Sequence, residues 1–371
     1  MKLTIATNWD NILIEQIGSM NNNSKNLIVE VFGSKKTDFL GSARPVDALP
    51  EVSWSQMKNH IDLCHKHNLK FNYVINAPSY HLKEFEIGFR QQLVKFVSEL
   101  ISVGVDLVTV ANPILIETIR ENFPNLPICA STVCKIDTLR RIDWYTELKV
   151  NRIILETDIN RDFKLLKKIR SRTKVELEVL GNLQCILLCP NNTYDYVCDG
   201  FRSQSSCDRN VFYNYPKIKC SNVKLKNPVE LIRSPWIRPE DTQFYEEVGI
   251  DFLKVAGREA PTKWLVNTIN AYVNSSYIGN LFDLVGNQVI SSVGSLPLDK
   301  EQKLKPLLIY LDNKKLNGFL NYFVNGKCNF DCDKCKYCHR WVKEIAITDR
   351  ERRDYIQRSD LLLEKIRKNE I

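Results

Sequence analysis

Eight short apolar runs, each followed by an amphipathic stretch or a loop leading to one, constrain the fold of this chain more than any other feature. They are LTIA (3–6), LIVEVFG (27–33), FNYVIN (71–76), VDLVTV (105–110), LPICAS (126–131), RIILE (152–156), VELEVLG (175–181) and DFLKVAG (251–257). Runs this uniformly apolar fit parallel strands covered on both faces, whereas a one-sided sheet alternates polar and apolar residues. Stretches with helical period fall at 11–18, 54–68, 82–103, 113–122, 136–148, 159–171, 239–249 and 261–273. Local signals agree with them: Ser53 is placed to cap the second helix, Pro113 to open the fourth, and Gly249 to end the seventh. Strict alternation over eight units predicts a (β/α)8 barrel. A doubly wound open sheet is the runner-up, and the absence of G-x-G-x-x-G after the first run weighs against it.

The alternation is interrupted once, after the seventh run, by a cysteine-rich segment at 181–238. The pattern changes again near residue 274, which divides the chain into a barrel over 1–273 and an extension over 274–371. In the extension, SSYIGNLFDLVGNQVISSVGSLPLDK reads as irregular or short helical structure, and KPLLIYLDN as one more strand or a short helix. A charged helix over 345–368 closes the chain.

Lysine and arginine number 52 against 44 acidic residues, a net charge of +8. That excess is compatible with nucleic acid or another anionic partner, but the charges are scattered, as on a solvated surface. The N-terminus lacks a basic region leading into an apolar one, so no export signal is expected. No apolar run reaches the roughly 18 residues of a membrane helix. The expectation is a soluble cytoplasmic protein.

Twelve cysteines are many for such a chain. Without export, a disulfide framework is not expected, and thiolates gathered at short spacing point to metal. Cys64, Cys129 and Cys134 lie apart, with Cys64 reading as helix packing. Cys185, Cys189, Cys198, Cys207 and Cys220 form a first group, beginning at the end of the seventh strand and so over the barrel mouth. Four sulfurs there suit a [4Fe-4S] cluster or a zinc ion. Cys185 and Cys189 are the best pair, Cys220 a third, and Cys198 and Cys207 compete for the fourth place. Cys328, Cys332, Cys335 and Cys338 form a second group spaced C-x3-C-x2-C-x2-C. That spacing is strong evidence for metal without naming it. The absence of two separated knuckles tilts the reading to iron–sulfur, with zinc retained and His339 read as an adjacent bystander.

Active sites of such barrels lie at the C-terminal ends of the strands. This selects Glu30, Asn76, Asn112, Ser131, Glu156, Asn182 and Arg258, about half of which are expected to be loop caps. Glu30 and Glu156 are the informative pair, because a carboxylate in an apolar strand is costly without a partner. Each reads as a general acid or base, or as a structural ion pair with Arg44 or Arg258. Glu30, Glu156, Ser131 and Arg258 are the catalytic candidates.

Several stretches resemble the collagenase-like peptidase family U32. They are VGVDLVTVANPILIETI, CAST (129–132), NRDFKLLKKIR (160–170), ELEVLGNLQC with its cysteine just past a strand, and SPWIRPEDTQFYEEVGIDFLKVAGR (234–258). The likeness spans about residues 1–275, and the four-cysteine segment is similar to an extra found in a sub-branch. Members carry a peptidase name. The resemblance also implies relatives that bind [4Fe-4S] through four cysteines and support oxygen-independent hydroxylation of ubiquinone precursors, a tRNA uridine or a ribosomal RNA cytidine. For some of them prephenate is implicated as oxygen donor. Cys185, Cys189, Cys207 and Cys220 are the candidate cluster ligands, but this chain departs from the relatives: its first two cysteines are only four apart, and their glycine-rich, arginine-containing run before the third cysteine is absent.

Three functions follow as expectations. The first is an iron–sulfur hydroxylase or related redox enzyme, acting on a small molecule or RNA base. An anionic donor would favour Arg44, Arg258 or nearby basic residues. The second is a peptidase, against which stand the absence of G-x-S-x-G and H-E-x-x-H and five histidines (60, 65, 67, 81, 339), none at a strand end. The third is a non-catalytic iron–sulfur subunit partnering a protein of the same family. The basic helix RERRDYIQRSDLLLEKIRK leaves RNA contact open, although a solvated amphipathic helix is the better reading.

Overall fold

A computed structural model describes residues 1–21, 24–44, 49–205, 215–285, 304 and 307–370. Eight strands close into one barrel, β1 to β8 in chain order, with β8 returning to β1. Every neighbouring pair is parallel. The first half runs β1 (Lys2–Ala6), α1 (Asn11–Gly18), β2 (Leu27–Gly33), α2 (Trp54–Lys66), β3 (Lys70–Ile75), α3 (Ile87–Ser102), β4 (Leu107–Val110) and α4 (Pro113–Asn122). The second half continues with β5 (Ile128–Ala130), α5 (Leu139–Glu147), β6 (Arg152–Ile154), α6 (Phe163–Arg172) and β7 (Glu176–Leu180). After β7 come α7 (Asn192–Arg202), α8 (Tyr215–Lys226), α9 (Val229–Arg233), α10 (Thr242–Glu247), β8 (Phe252–Val255) and α11 (Thr262–Val273).

The start signals act as their chemistry requires. Ser53 and Gln56 form a reciprocal capping box at α2. Asn112 caps α4 through the Ile114 amide, with Pro113 in the first turn, where its missing N–H costs nothing. Gly249 takes φ +84 after α10, a conformation that side chains resist. The expected single helix over 239–249 is instead a 3-10 turn, Pro239–Asp241, running into α10. The cysteine-rich loop, read only as an interruption, contains α7, α8 and α9 among its described residues.

Beyond α11 the described extension comprises β9 (Ile309–Leu311), α12 (Asn321–Val324), α13 (Cys332–Cys335), β10 (Ile345–Ile347) and α14 (Asp349–Arg367). The run read as strand or short helix is a strand, β9, paired antiparallel with β10, so the terminal helix begins at Asp349 rather than 345. Leu316, Phe319, Phe323, Leu362 and Leu363 share one continuous apolar core with the barrel. Asn222 of α8 donates to Ser359 of α14 at 2.8 Å, and Arg352 donates to the Leu225 carbonyl at 2.7 Å. No helix among the described residues is long and apolar enough to cross a membrane.

Candidate functional site

The barrel interior is charged at one level. Glu30 on β2 accepts from Asn72 at 2.8 Å and from Arg152 at 2.9 Å. Arg152 also lies 3.6 Å from Glu178, and Lys254 lies 3.8 Å from the same carboxylate. Burial pushes the Glu30 carboxyl above its ordinary range, and Arg152 opposes that. Glu30, Arg152, Lys70, Asp106, Asn151 and Glu176 line a cavity of about 440 Å³ at the N-terminal ends of the strands. Glu30 therefore faces the end opposite the mouth. Its partner is Arg152, and neither Arg44 nor Arg258 takes that place.

The other polar candidates do gather at the mouth. Asn76 donates to Ser131 at 3.1 Å and accepts from the Ala43 amide at 3.0 Å. Ser131 Oγ also accepts from the Val133 amide at 3.2 Å, so this serine caps a turn after β5. Asn112 caps α4 and donates to Glu84 at 3.2 Å. Asn182 bridges to both backbone groups of Ala256, at 2.7 and 2.8 Å, tying the end of β7 to the end of β8. Glu156 meets Lys135 at 3.1 Å rather than an arginine. Burial raises the Glu156 carboxyl, with Lys135 opposing.

Arg258 follows β8, is 3% exposed, and donates to Ser34 Oγ at 2.5 Å. Burial, then the neighbouring Arg44 charge, push its guanidinium down to about 9. Burial also works against the Arg44 charge, but Glu259, Tyr196, Asp199 and Cys185 outweigh it and raise that guanidinium. Two arginines thus stand near each other above the barrel with Glu259 between them in charge. The Arg44 segment is stapled to α7. Ser203 Oγ accepts from the Ser42 amide at 2.7 Å and donates to the Ser42 carbonyl at 2.6 Å. Gly41 sits here at φ +68, where a Cβ would meet Ser203 Oγ at 2.6 Å.

Sequence reasoning missed the acidic side of this mouth. Asp38 accepts from Tyr73 at 2.6 Å and from the Leu40 amide at 2.8 Å. On α7, Asp199 pairs with Lys217 at 3.1 Å. Burial, reinforced by Asp199, raises Asp195 to about 6. The one available signal was the four-residue spacing of Asp195 and Asp199, which puts both on one helix face.

Cys185, Cys189 and Cys220 lie within electrostatic reach of one another and of Lys224. Burial pushes the Cys185 thiol up to about 12, with Lys224 opposing. The Cys185 carbonyl accepts from Ser234 Oγ at 2.5 Å, and the Gln184 carbonyl from Lys224 at 2.5 Å. Cys198 lies within electrostatic reach of Tyr194, Asp195, Asp199 and Lys217, and Asp195 also reaches Cys185 and Cys189. Cys207 lies outside the described residues. Cys328, Cys332, Cys335 and Cys338 together line a cavity of about 20 Å³. Cys64 is packed inside, Cys129 points at Glu178 from 3.8 Å, and Cys134 donates to the Ala111 carbonyl at 3.3 Å. All described cysteines are free thiols. Among the described residues, no three His, Cys, Asp or Glu side chains stand close enough to enclose a metal ion as they are.

A hydroxyl–imidazole–amide series occurs at Thr7, His60 and Asn11, with contacts of 2.9 and 2.6 Å. Thr7 and His60 are each 1% exposed, and Thr7 Oγ1 already accepts from the Trp9 amide at 2.9 Å. This series cannot meet a peptide. His65 and His67 pair with Asp106 and Glu15, His81 packs on Phe201, and His339 contacts Arg233 at 3.2 Å.

Residues 42–277 match the model of peptidase family U32. An uncharacterized protease of Methanocaldococcus jannaschii is 29% identical over 345 residues, covering 90% of this chain and 93% of that one. The tRNA hydroxylation protein P of Haemophilus influenzae is 25% identical over 130 residues, 35% of this chain and 26% of that protein. A solved U32 peptidase superposes with a TM-score of 0.50 at 15% identity, covering 69% of this chain and 92% of that one, and shares its fold. With a barrel of this topology and a family match over most of its length, the chain belongs to peptidase family U32.

Proposed function

We propose that this protein is an iron–sulfur redox enzyme of the U32 family, whose cluster is held at the barrel mouth by Cys185, Cys189 and Cys220. The observation that carries the reading is the convergence of three thiols from two separate segments above β7, within electrostatic reach of one another and of Lys224. Thiolate sulfur is the donor set that such clusters take, so the residues fit in chemistry. The sulfurs must turn inward to close a shell, since none is closed among the described residues. A bound cluster supplies electron transfer, or an iron atom that coordinates substrate oxygen where a ligand is missing.

The remaining residues prepare the mouth for an anionic reactant. Arg44, partly exposed beside the nearly buried Arg258, gives a fixed positive charge whose planar donors suit a carboxylate. Burial raises the Glu156 carboxyl above its ordinary range while Lys135, 3.1 Å away, opposes the shift and fixes the side chain, so Glu156 is the mouth's candidate acid or base. Tyr196 lies within electrostatic reach of Glu156, Cys185 and Arg44, joining the acid to the thiols. Oxygen-independent hydroxylation of a small molecule or an RNA base is the finer form of this reading. Its support is the partial likeness to a tRNA hydroxylation protein.

Anaerobic purification tests the assignment. Expected are iron and acid-labile sulfide in the full-length protein, with the mouth's complement lost in C185A/C220A and no cleavage of casein. Protein that cleaves casein with no iron or sulfide bound would overturn it in favour of hydrolysis.

A further inference from the structure

The family match ends at residue 277, and the four-cysteine run lies wholly beyond it. We propose that Cys328, Cys332, Cys335 and Cys338 bind a second metal centre, separate from the barrel mouth, through four thiolates. The shared chemistry is four sulfurs around a thiophilic metal, which an iron–sulfur cluster and a zinc ion both accept.

Local geometry builds the pocket. Cys332 and Cys335 begin and end the single turn α13, and a spacing of three puts both on one helix face. On either side the chain reverses at Phe330 (φ +61) and Lys336 (φ +54), neither of them glycine. Such left-handed residues persist only where the surroundings hold them. The two reversals fold Cys328 and Cys338 back, so that all four thiols line one cavity. Tyr322 and Tyr337 stack over its wall with ring centres 4.0 Å apart, and the Tyr322 hydroxyl contacts Cys335 Sγ at 3.3 Å. All four cysteines are part-buried, and their sulfurs do not close a shell as they stand.

Charge fits the same occupant. Four thiolates around a divalent ion or an oxidised cubane carry a net negative charge, which is costly to bury alone. Arg161 lies within electrostatic reach of Cys328 and Cys338, and Arg233 of Cys332 and Cys338. The Arg161 guanidinium is itself fixed, stacked over Trp236 at 4.4 Å and donating to the Ile232 carbonyl at 2.7 Å.

The pocket adjoins the first group without merging with it. Leu187, between Cys185 and Cys189, lines a neighbouring cavity together with Cys328, Cys332 and Cys338. Arg233 faces the second group, while the next residue, Ser234, holds the Cys185 carbonyl.

Metal and sulfide counts per full-length chain, purified anaerobically, test the proposal on C332S/C335S and C185A/C189A. The expected result is that C332S/C335S loses one metal complement and keeps the mouth's, while C185A/C189A does the reverse. Zinc lost without sulfide identifies a zinc site, and iron lost with sulfide identifies a cluster. Unchanged metal in C332S/C335S would overturn the proposal. Unchanged metal in C185A/C189A would instead strike the mouth reading alone. A measurement on wild type avoids any folding defect: iodoacetamide should spare the 328–338 thiols until the metal is stripped. Equal alkylation before and after stripping would overturn the second site.

Discussion

Glu30 and Arg152, 122 residues apart in sequence, meet at 2.9 Å inside the barrel. Both are nearly sealed from solvent, and Glu178 shares the same guanidinium at 3.6 Å. Removing the arginine leaves two buried carboxylates short of a counter-charge. R152M is expected to destabilise the fold by about 3–5 kcal/mol, and adding E30Q to recover part of that loss. Urea denaturation of the single and double variants measures both.

His60 governs an acid limb of stability. Burial lowers its imidazole to about 4 against an ordinary 6.5, so the folded state keeps it neutral while the unfolded chain protonates. The unfolded state therefore binds more protons between those values, and stability falls as pH drops from about 6.5 toward 4. The loss is on the order of 3 kcal/mol, at about 1.4 kcal/mol per pKa unit. Unfolding free energies across pH 4–8 should show this slope in wild type and a shallower one in H60Q.

Ser234 fixes the backbone that carries Cys185. It is fully buried, and its hydroxyl donates to the Cys185 carbonyl at 2.5 Å. S234A leaves that carbonyl unpaired, at a cost of about 1–3 kcal/mol. Iron release to a chelator should be several-fold faster than in wild type at unchanged initial iron content.

Arg44 is the arginine a ligand can reach, since Arg258 is 3% exposed and already donates to Ser34. Malonate, as a carboxylate probe, should raise the melting temperature of wild type. R44M should weaken the malonate dissociation constant by about 10-fold or more, as expected for loss of a charge-assisted pair. Isothermal titration reads that change directly.

The barrel was legible because each strand is a local event: a short apolar run flanked by a cap or a turn residue. Ser53, Asn112 and Pro113 act within their own helix turn, so their signals survive without tertiary knowledge. Contacts across the fold were not legible in the same way. A carboxylate in an apolar strand announces that Glu30 needs a partner, but nothing local says that Arg152 supplies it or that the pair faces the end opposite the mouth. The helices of the cysteine-rich loop were hidden for a related reason. In α8, Asn222 and Lys224 are buried because they meet Ser359 and the Gln184 carbonyl, contacts that scramble the polar-out pattern. The strand-end rule did gather Asn76, Ser131, Glu156, Asn182 and Arg258 at the mouth. It said nothing of Asp38, Asp195 or Asp199, which come from loops and an inserted helix.

Anomalous scattering at the iron edge, from crystals of the full-length protein grown without oxygen, tests the account at its centre. The expected result is a strong iron peak bonded to the sulfurs of Cys185, Cys189 and Cys220. No iron there, with those three sulfurs turned away from one another, would contradict it.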